Sequence, residues 1–167
     1  MRSPERNSAI PEPSLRLART LALAVPALLL GGAYVAEYGF GLYPCEMCWW
    51  QRYPHFAALG LAGLAFVAPP ARLWTGLAAL AVLVSAAIGL FHAGVEYGWW
   101  QGITSCARIV PSAPGASPLD AIMHTPMISC DDPQWTFLGI SLAGYNFIFS
   151  LAGGLAVLAL LARKDRQ

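Results

Sequence analysis

Four stretches of this chain are long and apolar enough to cross a lipid bilayer, for which a helix needs about 20 residues. They lie at about residues 17–36, 49–68, 73–95 and 137–162, and the second is the least uniform because polar residues occupy its first turns. Of the 167 residues, 57% are hydrophobic and 11% are charged, and the mean hydropathy is +0.54. Soluble domains usually carry about 25% charged residues. The sequence therefore predicts an all-α integral membrane protein, a single membrane domain (1–167) built as a four-helix transmembrane bundle.

The basic residues predict the orientation of this bundle. Eight of the ten lysines and arginines fall on one side if all four stretches span the membrane: Arg2, Arg6, Arg16, Arg19, Arg72, Arg163, Lys164 and Arg166. The positive-inside rule places that side, with both termini, in the cytoplasm. The loops at about 37–48 and 96–136 then lie outside, and the second is a long loop between helices 3 and 4. The first stretch begins like a signal sequence, but its length and the lack of a small-x-small site before Glu37 favour a retained span.

The four cysteines all fall in these outer loops. Cys45 and Cys48 form a C-x-x-C motif just before the second stretch, and Cys106 and Cys130 lie 24 residues apart in the long loop. Cysteines on an outer face suit an oxidising compartment, where disulfides persist. A structural bridge fits the second pair, whereas a bridge across two intervening residues restrains almost nothing. The C-x-x-C pair is therefore predicted to be redox-active.

Two metal-linked alternatives fit the cysteine spacing less well. Zinc sites made from two cysteine pairs commonly have short spacing in both, and the second pair here is widely separated. Covalent haem attachment requires a histidine directly after the motif, and residue 49 is Trp. No metal is therefore expected. A non-enzymatic membrane protein whose outer loop is stapled by disulfides stays open as an alternative of another class.

Four further polar side chains accompany the thiols. Arg52 follows Cys48 by one helical turn, and a guanidinium near the end of a membrane helix is costly. It can stabilise a Cys48 thiolate or donate hydrogen bonds to a quinone carbonyl, and the alternative is an interfacial side chain that reaches for water. His92, near the outer end of the third stretch, can line a quinone pocket or assist proton uptake, or be structural. His55 is a weaker candidate, and Asn146 is expected to form hydrogen bonds between helices.

Longer runs of sequence resemble a known family. Residues 43–54, YPCEMCWWQRYP, resemble the signature of the disulfide bond formation protein B (DsbB) family. WQGITSC at 100–106 resembles the entry to the second outer loop of that family. SCD at 129–131 and WTFLGIS at 135–141 resemble its exit into the fourth helix. The resemblance covers nearly the whole chain in order, with the same two cysteine pairs.

The resemblance implies a quinone-dependent protein-disulfide oxidoreductase of the bacterial inner membrane, with its active cysteines on the periplasmic side. A reduced thioredoxin-fold oxidase of the DsbA type would attack a Cys106–Cys130 disulfide and form a mixed disulfide with Cys106. The released Cys130 would attack Cys45 of a Cys45–Cys48 disulfide. Cys48 would then face ubiquinone or menaquinone with Arg52 beside it. The DsbA–DsbB–quinone route of this family is what keeps the bacterial periplasm oxidising.

The resemblance also defines the expected partners and the nearest rival. The partners are the DsbA-type oxidase, membrane lipid and quinone, while a net charge of +1 gives no basis for nucleic-acid binding. Some members of the family have a histidine near the quinone, close to the position of His92. The rival is the vitamin K epoxide reductase type, also a four-helix bundle, in which the loop pair precedes the C-x-x-C motif. Here the motif comes first, which favours the DsbB order.

Overall fold

The chain folds as four long helices, and this computed structural model describes residues 13–104, 108–109 and 127–163. The helices are α1 (Pro13–Phe40), α2 (Glu46–Val67), α3 (Ala71–Glu96) and α4 (Leu142–Ala162). Two antiparallel strand pairs lie between α3 and α4: β1 (Arg108–Ile109) with β2 (Met127–Ile128), and β3 (Thr136–Phe137) with β4 (Ile140–Ser141). The predicted all-α fold with four helices is confirmed.

Three of the described helices, α1, α3 and α4, are long and apolar enough to cross a membrane by length and composition. The helix α2 has 22 residues, but Gln51, Arg52 and His55 lie in its first turns and lower its hydropathy. All three of these side chains are buried inside the bundle. Membrane helices tolerate polar groups when they face protein or a cavity and not lipid. The polar start of α2 therefore points to where the chemistry lies.

The fourth helix begins at Leu142, later than the predicted start at Phe137. Residues 136–141 instead form the tight β3–β4 hairpin, whose two-residue turn places Leu138 at φ 51° and Gly139 at φ 77°. Positive φ at both central positions is the geometry of a type I′ turn. Ser141 then caps α4, because its hydroxyl accepts a hydrogen bond from the backbone N–H of Gly144 at 3.1 Å.

The second helix begins at the C-x-x-C motif itself. Cys45 is the N-cap of α2, and its sulfur accepts a hydrogen bond from the backbone N–H of Cys48 at 3.3 Å. The chain reaches this cap through Gly41, whose φ of 69° ends α1. Both thiols of the motif are therefore fixed at a helix N-terminus, where the helix dipole favours negative charge.

We call the two ends of the bundle the cysteine end, which holds Cys45, Cys48 and Cys130, and the basic end, which holds Arg16, Arg19, Arg72 and Arg163. A cluster of small buried side chains packs the core towards the basic end: Ala18, Ala22, Ala62, Ala78, Ala79 and Val157. Glycines extend this close packing: a Cβ on Gly154 would lie 2.7 Å from the Leu83 side chain. Small residues let membrane helices approach closely, so this end is tightly packed.

Candidate active site

Three thiols meet at the cysteine end. The sulfur of Cys45 lies 3.0 Å from that of Cys48, and Cys130 Sγ lies within 4.8 Å of Cys45 Sγ. Cys130 reaches this position because it follows β2, and it packs in a small buried cluster with Met47 and Val95. All three cysteines are free, and Cys45 and Cys130 are almost completely buried. The structure therefore brings together three of the four predicted redox cysteines.

The fourth predicted cysteine, Cys106, lies outside the described residues, so its position relative to the other three thiols stays a prediction.

Two of the three thiols, those of Cys45 and Cys130, have pKa values raised above the ordinary range. The hydrogen bond with Cys130 lowers the pKa of Cys45, but its contact with Cys48, its burial and the charge of Cys48 together raise that pKa to about 12. The pKa of Cys130 is also raised, first by its hydrogen bond with Cys45 and then by burial. Cys45 is consequently the donor in its short contact with the Cys48 sulfur.

Arg52 is anchored by α1. Its guanidinium donates to Glu37 Oε2 at 2.5 Å and to the carbonyl of Ala33 at 3.3 Å. The rings of Tyr34 and Trp49 each lie 4.9 Å from its Cζ, which adds cation–π attraction. A buried guanidinium with these partners is not a side chain that reaches for water. The sequence did not predict the Glu37 partner, although an acid at the end of α1 was available to neutralise Arg52.

His92 lies beside the thiols. Its Nε2 is 3.6 Å from Cys45 Sγ and 3.7 Å from Glu96 Oε1, and its Nδ1 is 2.8 Å from Gln51 Nε2. The imidazole is 2% exposed, so these neighbours are its environment. The contact of His92 with Cys45 was not predicted, and the predicted role of His92 in a quinone pocket or in proton uptake stays a prediction.

A network of amides and hydroxyls continues inwards from His92. Asn146 of α4 donates to Gln51 Oε1 at 2.8 Å and to Ser85 Oγ at 3.1 Å, and its own Oδ1 lies 3.0 Å from His55 Nε2. The predicted interhelical hydrogen bonds of Asn146 are confirmed. Gln51 and Ser85 were missed, although Gln51 stands one turn from Cys48, which is the spacing of one helix face.

An apolar cavity of about 300 Å³ lies against this site. Its lining includes Cys48, Arg52 and His92 at the cysteine end, and α1 and α4 add a wall of apolar side chains that includes Leu28, Leu29, Leu30, Tyr145 and Phe149. Ligand cavities have about this size, with a mostly apolar lining and a few placed polar groups. The cavity can therefore hold a mostly apolar molecule whose polar atoms meet the thiols and the guanidinium.

A metal ion would find three candidate ligands here. The ligand atoms of Cys45, His92 and Cys130 all lie within 4.8 Å of one another, and all three residues are buried. However, Gln51 Nε2 also donates to the carbonyl of Met47, which identifies it as the amide nitrogen that faces His92 Nδ1. Nδ1 is then the acceptor and Nε2 carries the hydrogen, so the nitrogen that faces the sulfurs has no free lone pair. This arrangement suits thiol chemistry better than metal binding.

Comparison with known proteins agrees with this geometry. A family model described as "Disulfide bond formation protein DsbB" matches residues 15–161. Proteins named "Disulfide bond formation protein B" are 35% identical in Polaromonas naphthalenivorans and 33% identical in Polaromonas sp., and each match covers 91% of this chain and 93% of the relative. The protein of that name in Verminephrobacter eiseniae is 34% identical, and the match covers 90% of this chain and 88% of the relative. No solved structure gave a significant match.

Proposed function

Because this chain belongs to the disulfide bond formation protein B (DsbB) family, we propose that it reoxidises a periplasmic thioredoxin-like dithiol oxidase of the DsbA type and passes the electrons to membrane quinone. Family membership makes the chain a membrane protein of disulfide oxidation, and the partner and the acceptor are the proposal. The single observation that carries the proposal is the meeting of Cys45, Cys48 and Arg52 at one apolar cavity, with Cys130 directly beside Cys45.

The thiols supply a path for two electrons. The partner thiolate attacks a Cys106–Cys130 disulfide at Cys106, and the electron pair leaves on Cys130. Cys130 attacks Cys45, the Cys45–Cys48 bond breaks, and Cys48 leaves as the thiolate. The described positions support this order, because Cys45 contacts both Cys130 and Cys48, and Cys48 lines the cavity.

The cavity fits a quinone in its chemistry. Arg52 offers N–H donors for a carbonyl oxygen, Cys48 offers the sulfur, and the leucines of α1 offer an apolar wall for an isoprenoid tail. A bound quinone, ubiquinone or menaquinone, would supply a lipid-soluble acceptor for two electrons. The geometry gives Arg52 a fixed place, since the ion pair with Glu37 holds its guanidinium at the cavity before any ligand arrives.

The orientation of the bundle in the membrane is part of the same proposal. The four described arginines of the basic end, Arg16, Arg19, Arg72 and Arg163, lie opposite the thiols, which supports a cytoplasmic basic end and a periplasmic cysteine end in the bacterial inner membrane. His92 is proposed to serve this redox site as well. Its position beside Cys45 favours an action on the thiols.

Turnover of a reduced partner tests the proposal. Purified protein in lipid nanodiscs with a water-soluble quinone analogue should oxidise a reduced DsbA-type protein, and Cys45→Ser should abolish this activity because the electrons then cannot leave Cys130. Partner thiols are counted with Ellman's reagent and quinone reduction by absorbance. Equal turnover in Cys45→Ser and the parent would refute the mechanism, and turnover without quinone would refute the acceptor.

A further inference from the structure

A chain of hydrogen bonds runs through the core to the thiols. It begins at His55, whose Nε2 lies 3.0 Å from Asn146 Oδ1. Asn146 Nδ2 donates to Gln51 Oε1 at 2.8 Å, and Gln51 Nε2 lies 2.8 Å from His92 Nδ1. The last step spans 3.6 Å from His92 Nε2 to Cys45 Sγ. One continuous polar path therefore links the middle of α2 to the redox motif.

The amide of Gln51 fixes the donor-to-acceptor direction of the hydrogen bonds along this path. Its Oε1 accepts from Asn146, and its Nε2 donates to the carbonyl of Met47 at 3.2 Å, so the nitrogen is the atom that faces His92. An amide nitrogen can only donate, and His92 Nδ1 must then accept. A neutral imidazole carries one ring hydrogen, which consequently sits on Nε2, where it faces the sulfur of Cys45 and the backbone of Cys130.

We infer that His92 acts on the thiols as a neutral donor: its Nε2–H stabilises the Cys45 sulfur as a thiolate when the Cys45–Cys130 disulfide is broken. This inference rests on the proposed function, in which that disulfide forms when Cys130 attacks Cys45. The partner's second thiolate first breaks its mixed disulfide with Cys106, so that the oxidised partner leaves and Cys106 becomes a thiolate. To restore the loop pair, the Cys106 thiolate then attacks Cys130. The Cys106–Cys130 bond forms, the Cys45–Cys130 bond breaks, and the electron pair leaves on Cys45, with no net oxidation. A thiolate leaves faster when its negative charge is stabilised.

Besides His92, the Cys45 sulfur accepts from the backbone N–H of Cys48 at 3.3 Å and from the thiol of Cys130, but Cys130 cannot donate while its sulfur is bonded in a disulfide. Glu96 Oε1 lies 3.7 Å from His92 Nε2, beyond the usual reach of an N–H···O hydrogen bond, and a carboxylate only accepts. Protonation of His92 at both nitrogens would bring its second N–H against the N–H of Gln51. Gln51 and Asn146 are therefore positioning residues, because they hold the imidazole in the tautomer that donates to the sulfur.

Alkylation of Cys45 tests this donor without partner or quinone. In a Cys48→Ser, Cys106→Ser, Cys130→Ser background Cys45 is the only thiol, and its rate of reaction with iodoacetamide reports the thiolate fraction. At a fixed pH, His92→Phe should slow the reaction about tenfold, which corresponds to one pKa unit. His92→Gln, which keeps an N–H donor, should recover part of the rate. Thr75→Val, a buried polar-to-apolar change at the other end of α3, should leave the rate unchanged.

The tautomer gives a second, independent measurement on the unsubstituted protein. Side-chain ¹⁵N spectra of histidine-labelled protein should show His92 neutral, with the hydrogen on Nε2, and Gln51→Leu should mix the two tautomers. A hydrogen on Nδ1, or an equal alkylation rate in folded His92→Phe, would overturn the inference. If His92→Phe does not fold, the spectrum decides. Either failure leaves the Cys45→Ser turnover test of the proposed function untouched, because neither measurement involves quinone.

Discussion

The two ends of this bundle use the same four helices in opposite ways. Towards the basic end, small side chains close the core, and helices approach to the distance that alanine and glycine permit. At the cysteine end, thiols, an imidazole, amides and a guanidinium surround a cavity of about 300 Å³. Close packing stabilises the fold but leaves no space for a ligand, whereas a cavity and buried polar groups cost stability. The contrast indicates that one end stabilises the bundle and the other performs the chemistry.

The largest expected effect is on activity alone. Cys48→Ser removes the sulfur that lies against the cavity, so we expect turnover of the reduced partner to fall by at least roughly 10³-fold, because a hydroxyl cannot replace a thiolate in disulfide exchange. The thermal unfolding midpoint in detergent should stay close to that of the parent. Substantial remaining turnover, or a large loss of stability, would break the separation between the two ends.

The next largest effect is on stability alone. Gly154→Ala places a Cβ 2.7 Å from the side chain of Leu83 and 3.3 Å from the carbonyl of Ala79. Overpacking of this kind destabilises by about 1–3 kcal/mol, which thermal or denaturant unfolding in detergent measures. Turnover per folded molecule should be unchanged, since the cavity lies at the other end.

A glycine in open space supplies the control for that substitution. A Cβ on Gly60 of α2 would meet nothing within 4 Å, so Gly60→Ala should not destabilise the bundle. If both variants lost stability equally, the loss would come from the removal of a helical glycine itself, and the tight packing of α4 on α3 would not be its cause.

Arg52 sharpens the comparison because it is expected to contribute both to quinone binding and to the stability of the bundle. Arg52→Ala should raise the apparent KM for quinone about tenfold, close to 1.4 kcal/mol, through the lost N–H donors. It also leaves Glu37 buried without its 2.5 Å partner, which costs stability. The double variant Arg52→Ala with Glu37→Gln should recover the stability and keep the raised KM. Recovery of both would make Arg52 a structural anchor only.

Sequence alone was sufficient for the parts that depend on local pattern. Twenty-residue apolar stretches predicted the four helices, because burial in a bilayer demands them. The sequence pattern was insufficient where turn geometry or contacts between distant segments decide the structure. The β3–β4 hairpin displaced the start of α4 from Phe137 to Leu142, since turn geometry overrode an apolar run that looked continuous. The apolar pattern fixes which residues avoid water, and it does not distinguish a strand pair from the first turn of a helix.

The candidate site shows the same division. The C-x-x-C motif and its following arginine were visible because their spacing along one helix is local. Gln51 was missed because its role arises from contacts with His92 and Asn146, which lie 41 and 95 residues further along the chain. Its only local signal was a second polar residue on the cysteine face of a membrane helix. Such residues are candidates for a site, since lipid offers them no partner.

The smallest expected effect asks whether the cysteine end can be stabilised without a change in its chemistry. Leu138 holds a φ of 51° in the β3–β4 turn and is 82% exposed, so its side chain gains little from packing. Asn-Gly is the preferred pair for such a turn, and Leu138→Asn should therefore stabilise the protein by about 0.5–1 kcal/mol. The unfolding midpoint measures this gain, while Gly139→Ala, at φ 77°, should lower it. A gain in stability with unchanged turnover would show that the activity of the cysteine end depends on its redox site and not on the stability of its surface turns. A loss in Leu138→Asn would mean that the exposed leucine has a partner in the membrane interface.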